Sequence, residues 1–245
     1  MSSSSAVGAI PDPRSPATRV GVIGGGQLAW MMAAGAQNLG VKLIVQTPGA
    51  ADPAVAIADR VISAAVADAD ATQHLAAQCD VITFENEFID LSALQSLAVQ
   101  GVCFRPRIGA LAPLLDKYDQ RQYFTTIDLP SPRFITLEQA ADRDRLADFP
   151  ETLVMKTRRL GYDGQGTYIM PDRATLLDTW ERLDYPPVVV EEFVAFDCEL
   201  AVMVARSPVG ETAVYPVVKT VQVDQVCRQV FVPSGLAPEL EQTVQ

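Results

Sequence analysis

Short apolar strands alternate with helix-spaced segments over residues 19–106, and this alternation restricts the fold more than any other feature. The first strand ends in glycines, "RVGVIGGG", a helical segment follows over 27–40, and "VKLIVQ" forms a second buried strand. The strands "RVIS", "DVITFE" and "GVCFRP" continue the pattern, with helices predicted near 70–78 and 90–99. Strands that alternate with helices build a parallel sheet covered on both faces. We therefore predict a Rossmann-like α/β domain over residues 19–115.

A second pattern begins after residue 115. A helix is predicted to run from Asp116 and to stop before Pro130, and strands then follow one another with few helices between them. These strands are "TLVMKTR", "GTYIM", "VVVEEFV", "CELAVMVARS", "TAVYPVVKTVQV" and "CRQVFV". Successive strands predict an antiparallel sheet and an α+β second domain. Residues 1–18, rich in Ser and Pro, are predicted to be a disordered extension.

Charge and rare residue types argue against several functions. The formal net charge of −11 disfavours a nucleic-acid surface, and no apolar run approaches the roughly 18 residues of a membrane helix. His74 is the single histidine, which excludes a histidine-rich metal site and disfavours a Ser-His-Asp triad. The cysteines lack C-x-x-C spacing and no secretory signal is recognisable, so we expect reduced core thiols in a cytoplasmic protein. They are Cys79, Cys103, Cys198 and Cys227.

The first glycine cluster, residues 24–26, fits the pattern G-x-G-x-x-A between a strand and a helix. An NAD-binding domain would place an acid at the end of the second strand, where this chain has Gln46, so NAD is disfavoured. The amides at the helix N-terminus could instead receive a phosphate or a carboxylate. A tight turn that needs glycine only for its backbone angles is the alternative.

A second glycine cluster lies in "KTRRLGYDGQGTYIM", residues 156–170. Lys156 precedes the glycines and a strand follows them, an order that excludes a Walker P-loop. The segment is predicted to lie inside a hairpin, where the glycine amides could close over phosphates while Lys156 places a charge beneath them. The alternative is a surface hairpin whose Arg158 and Arg159 are solvated.

Two acids eight residues apart, Glu191 and Glu199, lie in "VVVEEFVAFDCEL". A strand that leads into a linker offers backbone groups suited to the edge of an adenine, and a carboxylate eight residues later could accept ribose hydroxyls. The alternative is that Glu191, Glu192 and Glu199 are exposed strand acids.

Taken together, these segments resemble the ATP-grasp superfamily, and within it the N5-carboxyaminoimidazole ribonucleotide synthetase family. The resemblance covers residues 19 to about 235 and rests on "VGVIGGGQLA", "TFENEF", the "DK....RQYF" helix, "VMKTRRLGYDGQGTYIM", "VVEEFVAFDCEL" and "YPVV". It implies a pre-ATP-grasp domain at 19–115, a small ATP-grasp subdomain with a glycine-rich flap at 116–190, and the start of the larger subdomain at 191–245.

The resemblance also implies an activity. Members of this family use ATP and bicarbonate to carboxylate 5-aminoimidazole ribonucleotide, through carboxyphosphate, in purine biosynthesis. The implied cofactors are ATP and Mg²⁺, and the implied partners are bicarbonate and the ribonucleotide, with a homodimer possible. A closing glycine flap suits this chemistry because carboxyphosphate hydrolyses easily in water.

Residue roles follow from the same resemblance. Lys156 is the implied catalytic residue and also binds ATP. The other implied ATP-binding residues are Lys117, Gly161, Tyr162, Asp163, Gly164, Gln165, Gly166, Thr167, Glu191, Glu192, Phe193, Val194, Glu199 and Gln222, the last in place of a family histidine. The implied substrate-binding residues are Gly24, Gly25, Gly26, Gln27, Leu28 and Glu85. Departures from the family pattern are Ala29, Trp30, Lys219 and Thr220.

The family's metal-binding Glu and Asn-Glu pair find no counterpart before Gln245. From the sequence we therefore expect no metal site within this chain and incomplete catalysis by the chain alone. A remnant that binds ATP or a ribonucleotide without turnover is the alternative function.

Overall fold

A computed structural model describes residues 17–159, 161 and 166–245, and the chain divides into two compact units between Leu115 and Asp116. The first unit contains strands β1 (Arg19–Ile23), β2 (Lys42–Thr47), β3 (Arg60–Ser63) and β4 (Val81–Phe84). Its helices are α1 (Gln27–Leu39), α2 (Ala69–Ala76), α3 (Leu91–Val99) and α4 (Ile108–Leu111). Within the described part of the chain, no helix has the length and apolar character to cross a membrane.

The first unit is a parallel sheet in the order β3-β2-β1-β4, which confirms the predicted α/β class. Successive residues of β1 enter different cores, since Val22 packs with Leu43 and Val45 while Ile23 packs with Ile44 and Ile82. This two-sided burial is what near-continuous apolar strands require. The sheet therefore brings the carboxyl ends of β1, β2 and β4 to one edge.

The prediction of a regular strand over "GVCFRP" is wrong. It makes a single parallel bridge, between Ile82 and Phe104. Phe104 is buried in the core, and Pro106 cannot extend the ladder because proline has no N–H to donate.

The second unit contains strands that pair antiparallel throughout, as predicted. They are β5 (Phe134–Leu137), β6 (Leu153–Thr157), β7 (Thr167–Met170), β8 (Val188–Glu192), β9 (Glu199–Ala201), β10 (Val204–Arg206), β11 (Thr212–Val214), β12 (Val218–Val223) and β13 (Val226–Phe231). The helices are α5 (Lys117–Thr126), α6 (Arg173–Arg182) and α7 (Pro238–Val244). The sheets run β5-β8-β6-β7, β13-β12-β9 and β10-β11.

Two strands predicted as continuous are interrupted. "CELAVMVARS" divides into β9 and β10 because the first pairs with β12 and the second with β11. "TAVYPVVKTVQV" divides into β11 and β12 around Pro216, which cannot donate to a ladder. All four cysteines are unpaired, but Cys227 is exposed, so the core assignment is wrong for that residue.

One face of the four-stranded sheet is apolar, and the other, the charged face, carries Lys156 and Glu191 beside apolar residues such as Val189. Leu153, Met155 and Val190 point into a core completed by Trp180 of α6. Because strand side chains alternate, Val154, Lys156 and Glu191 point to the opposite face. That second face carries the charged residues of the candidate site.

Candidate functional site

The register of β6 and β8 places Lys156 beside Glu191. Val154 pairs directly with Glu191, and Lys156 lies two residues further along the same face. The Lys156 Nζ atom is 2.6 Å from Glu191 Oε2. From helix α5, the Arg121 Nε atom is 2.5 Å from Glu191 Oε1. One carboxylate therefore binds two cations through its two different oxygens.

Glu191 is ionised although it is buried. Its side chain is only 4% exposed, whereas Arg121 and Lys156 are 20% and 22% exposed. Burial alone would raise the pKa of Glu191, but hydrogen bonds and charges from Arg121 and Lys156 outweigh it and hold the pKa below its ordinary value. Three charges of this kind sum to about +1, so the cluster can attract an anion. The alternative of an exposed strand acid is wrong for Glu191.

A second junction ties the start of α5 to the end of β6. Asp116 is the N-cap of α5 and accepts a hydrogen bond from the Tyr118 N–H at 2.9 Å. The same carboxylate accepts from Arg158 Nε at 2.9 Å and from Arg159 Nε at 3.1 Å. The Lys117 N–H donates to the Arg158 carbonyl at 2.9 Å. Backbone and side-chain bonds thus hold Lys117 next to the strand that carries Lys156.

Asp116 is also ionised. Its side chain is 2% exposed, and burial acts to raise its pKa. Hydrogen bonds from Arg158 and Arg159 act in the other direction and leave the pKa below its ordinary value. Arg158 additionally contacts Glu138 at 2.6 Å. The alternative of a solvated side chain is therefore wrong for Arg158. The Arg159 side chain, by contrast, is 65% exposed.

The glycine-rich segment begins and ends in the β6–β7 hairpin, as predicted. Lys156 pairs with Thr167, and the Thr157 N–H donates to the Gly166 carbonyl at 2.8 Å. Gly166 has φ of +75°, a left-handed value that favours glycine. Gly161 is also described, and it is partly buried. The candidate residues Tyr162, Asp163, Gly164 and Gln165, like residues 1–16 of the predicted extension, lie outside the described residues.

At the end of β8, few backbone N–H groups are free to bind a nucleotide base. The Glu192 N–H donates to the Arg133 carbonyl at 3.0 Å, and the Phe193 N–H donates to Thr152 at 3.3 Å. Among the described residues, the Val194 N–H has no hydrogen-bond partner, and the Val194 side chain is exposed. The Val194 N–H is therefore one backbone donor that this linker offers to a ligand.

Glu199 and Gln222 lie on the three-stranded sheet. Glu199 of β9 faces Thr220 of β12, and Gln222 lies two residues further and donates to Thr220 Oγ1 at 3.4 Å. These residues share one face of the sheet. Within the described residues, no hydrogen bond or ion pair joins them to Lys156 or Glu191.

In the first unit, Glu85 lies against the glycine loop. Strands β1 and β4 are parallel neighbours, so Glu85 follows β4 beside the residues that follow β1. A Cβ atom added at Gly24 would lie 2.6 Å from Glu85 Oε2, and one added at Gly26 would lie 2.5 Å from Oε1. The carboxylate therefore occupies the space that a side chain at either position would need.

Gly25 lies against a different neighbour. A Cβ atom there would lie 2.6 Å from Thr47 Oγ1, and the Gly25 carbonyl accepts the Ala54 N–H at 2.9 Å. Gln27 and Leu28 begin α1 with exposed side chains. Packing alone thus accounts for all three glycines, and an anion at this loop stays a prediction.

Gln46 is part of the fold and not of a ribose site. It is fully buried, and its Nε2 donates to the carbonyls of Ala65 at 2.8 Å and Asp68 at 3.1 Å. Its Oε1 accepts from Thr72 Oγ1 at 3.0 Å. Every polar atom of this amide is used within the unit, which argues further against NAD.

Sequence reasoning missed Arg121 and Asp116 as members of the site. Both lie in the "DK....RQYF" segment that was recognised. The available signal for Arg121 was its i+4 spacing from Lys117, which places both cations on one side of a helix. The ion pairs of Arg121 with Glu191 and of Asp116 with Arg158 join residues that are far apart in the chain, so they have no local signal.

Family models match both units. A ribonucleotide synthetase pre-ATP-grasp domain matches residues 17–113, and an ATP-grasp domain matches residues 122–245. The chain therefore belongs to the ATP-grasp family.

Individual relatives are more specific. The N5-carboxyaminoimidazole ribonucleotide synthase of Synechococcus elongatus is 53% identical over 231 residues, which are 94% of this chain and 58% of that protein. The chain thus spans little more than half the length of this relative.

Solved structures agree with that similarity. An N5-carboxyaminoimidazole ribonucleotide synthetase in complex with ADP has a TM-score of 0.87 at 30% identity, covering 93% of this chain and 60% of the other. The Aspergillus clavatus synthase in complex with ADP and 5-aminoimidazole ribonucleotide has a TM-score of 0.82 at 26% identity, with the same coverage.

Proposed function

We propose that this chain supplies nucleotide-binding and ribonucleotide-binding parts of an ATP-dependent carboxylation of 5-aminoimidazole ribonucleotide. The observation that carries the proposal is the 53% identity to a synthase of that name, which extends over both units without a change in their order. The charged face of the second unit supports it, because an ammonium group fixed by a buried carboxylate suits a polyphosphate.

The reaction has two balanced steps. A bicarbonate oxygen attacks the γ-phosphorus of ATP, and ADP leaves with the electrons of the broken P–O bond. The exocyclic amine of the ribonucleotide then attacks the carboxyl carbon of carboxyphosphate, and phosphate leaves while the amine loses a proton. Positioning and charge neutralisation are the protein's main contributions to such a phosphoryl transfer.

In the second unit, Lys156 neutralises phosphate charge from its position beside Glu191. Lys117 contributes from the start of α5, and residues 161–167 cover the phosphates. The adenine takes the linker from Glu191 to Val194, where the free donor is the Val194 N–H. The pair Glu199 and Gln222 contacts the nucleoside.

In the first unit, Gly24, Gly25, Gly26, Gln27, Leu28 and Glu85 receive the ribonucleotide. A carboxylate accepts hydrogen bonds, so Glu85 suits the hydroxyl or amine groups of this ligand. The backbone amides at the start of α1 suit its phosphate.

ATP enters this reaction as its magnesium complex. Among the described residues, no three His, Cys, Asp or Glu side chains come together as a metal site would require. Mg²⁺ is usually held by one or two carboxylates together with the phosphates of the substrate, so its binding to this chain stays a prediction and no step is assigned to a protein-bound ion. A cytoplasmic location and a homodimer stay predictions from the resemblance.

Phosphate release from ATP, measured with and without the ribonucleotide and bicarbonate, tests the carboxylation directly. Release that requires both supports the proposal. ATP binding without such release would leave only the binding function expected of the chain alone, and the absence of both ATP binding and ribonucleotide binding would contradict the proposal.

Calorimetry with Mg-ATP tests the nucleotide site. Lys156→Ala is expected to weaken binding by about tenfold or more, since one phosphate charge loses its partner. Lys42→Ala removes an exposed lysine of the first unit and serves as the matched control. Equal affinity in wild type and Lys156→Ala would contradict the assignment of Lys156.

A further inference from the structure

Arg121 and Lys156 share one carboxylate, and neither residue has a comparable second ionic partner in the described part of the chain. The two ion pairs use different oxygens, so both form at once. Glu191 is 4% exposed and cannot exchange either cation for bulk water without opening the site. The position of Lys156 therefore depends on where the Glu191 carboxylate points.

The backbone on both sides of this carboxylate is fixed. Glu191 lies on a central strand and pairs with Phe134 on one side and Val154 on the other. Arg121 lies on α5, whose first turn is anchored by Asp116. With both backbones held, the Arg121 guanidinium at Oε1 determines which way the carboxylate turns and leaves Oε2 for Lys156.

The charge balance gives Arg121 a second effect. Lys156 and Glu191 alone would form a neutral pair, and a neutral pair has little attraction for phosphate. With Arg121 the same carboxylate serves two cations, and the group retains a net charge of about +1. Because the group is largely removed from water, this charge is screened less than a surface charge.

We propose that Arg121 is a positioning residue that acts through Glu191: it orients the carboxylate for Lys156 and keeps Lys156 from being neutralised. The proposal rests on the proposed function, in which Lys156 contacts nucleotide phosphate. It assigns no direct nucleotide contact to Arg121.

The first test compares ADP with adenosine by calorimetry in the whole chain. Arg121→Gln is expected to weaken ADP binding by about tenfold while changing adenosine binding by less than about threefold, since only ADP uses the charge. Arg121→Lys keeps the charge and should recover most of the ADP affinity. Equal losses for both ligands would overturn the proposal and indicate a structural role.

The matched control is Arg182→Gln. Arg182 lies at the end of α6, is 68% exposed, forms an ion pair with the exposed Asp178 and donates to Thr179 Oγ1 at 3.0 Å. This variant should bind ADP as the wild type does. A tenfold loss of ADP affinity in Arg182→Gln would show a non-specific charge effect and would overturn the proposal.

A double-mutant cycle tests whether Arg121 acts through Glu191. In a Glu191→Gln background, Arg121→Gln should change ADP affinity by less than about threefold, because the carboxylate that transmits its effect is gone. Additive losses would overturn the proposal and indicate that Arg121 acts on the nucleotide directly.

A nucleotide-free measurement separates this inference from the proposed function. The chain has only four lysines, so the side-chain ammonium resonance of Lys156 can be assigned by NMR with a Lys156→Arg variant. Arg121→Gln should shift this resonance and Arg182→Gln should not. If the wild type binds no nucleotide, the proposed function fails, while the resonance still decides the inference. An unshifted resonance in Arg121→Gln overturns it.

Discussion

The glycines of this chain differ in which neighbouring atoms a methyl group added at each position would contact. At Gly24 the backbone has φ of +106°, and an added Cβ atom would also collide with Glu85. At Gly26 the backbone is unstrained, with φ of −74°, and the collision with Glu85 is the only cost. At Gly35, inside α1, an added Cβ atom would meet nothing within 4 Å. Three alanine substitutions can therefore separate backbone strain, collision and helix propensity.

We expect Gly24→Ala to lower the free energy of unfolding by about 1–3 kcal/mol, since the left-handed strain and the displacement of Glu85 add. Gly26→Ala should cost less, because its backbone needs no change. Gly35→Ala should stabilise the protein by about 0.5–1 kcal/mol through helix propensity. Urea unfolding of the three variants measures these differences, and a Gly24→Ala variant as stable as Gly35→Ala would contradict the packing described.

At the residue scale, the sequence predicted chemistry better than contacts. Lys156 and Glu191 were both predicted to bind ATP, which stays a prediction, and both lie on the charged face of one sheet. Their direct ion pair was not predicted, because it depends on the register of two strands separated by 35 positions. Glu191 was assigned to the adenine, yet its side chain is engaged by Arg121 and Lys156.

At the scale of elements, helix α5 is held by two carboxylates. Asp116 joins its first turn to Arg158 and Arg159, and Glu191 joins its second turn to β8 through Arg121. No residue of helix α5 is buried, and its side chains are partly or fully exposed. Its place on the sheet therefore depends on these charged junctions more than on apolar packing.

Asp116→Asn is expected to lower the free energy of unfolding by about 3 kcal/mol, because it removes the charge of a carboxylate that is only 2% exposed and leaves Arg158, 19% exposed, without it. Asp178→Asn is the control: its ion pair with Arg182 is exposed, with side chains 72% and 68% accessible, and the expected change is below about 1 kcal/mol. Thermal unfolding followed by circular dichroism measures both. Similar losses in the two variants would mean that Asp116 does not anchor α5.

Element prediction succeeded where periodicity is strong and failed where strands change partners. The parallel and antiparallel patterns were both recognised from spacing alone. The division between β9 and β10 could not be predicted from the sequence, because the apolar run is continuous and only the partner strand changes. The packing of α5 was equally hidden, because acid–base junctions leave no apolar periodicity.

At the scale of the whole molecule, acid is expected to destabilise the protein. The pKa values of Asp116 and Glu191 in the folded chain lie below the ordinary values of 3.8 and 4.5. Each carboxylate therefore contributes stability that is fully present above about pH 4.5 and is lost as the pH falls through its folded pKa. The pKa of Asp80, in the first unit, is also lowered, to about 2, chiefly by its hydrogen bond with Arg19.

The test compares wild type with Glu191→Gln in urea at about pH 7, 5 and 3.5. At neutral pH the variant should be less stable, since Arg121 and Lys156 lose their shared carboxylate. The difference between the two proteins should shrink as the pH falls below about 4.5 toward the lower pKa that Glu191 has in the folded chain, because the unfolded wild type then takes up a proton that the folded chain resists. A difference that does not depend on pH would contradict an ionised Glu191.

The buried amide of Gln46 limits how this scaffold can diverge. Its hydrogen bonds to Ala65, Asp68 and Thr72 use a donor and an acceptor together, which a carboxylate cannot replace at neutral pH. A Gln46→Glu change would bring a charge into that space without a cation to meet it. An acid at this position would therefore require the loop at 64–68 to be rebuilt, so a single substitution is not enough to give this scaffold the ribose-binding acid of an NAD site.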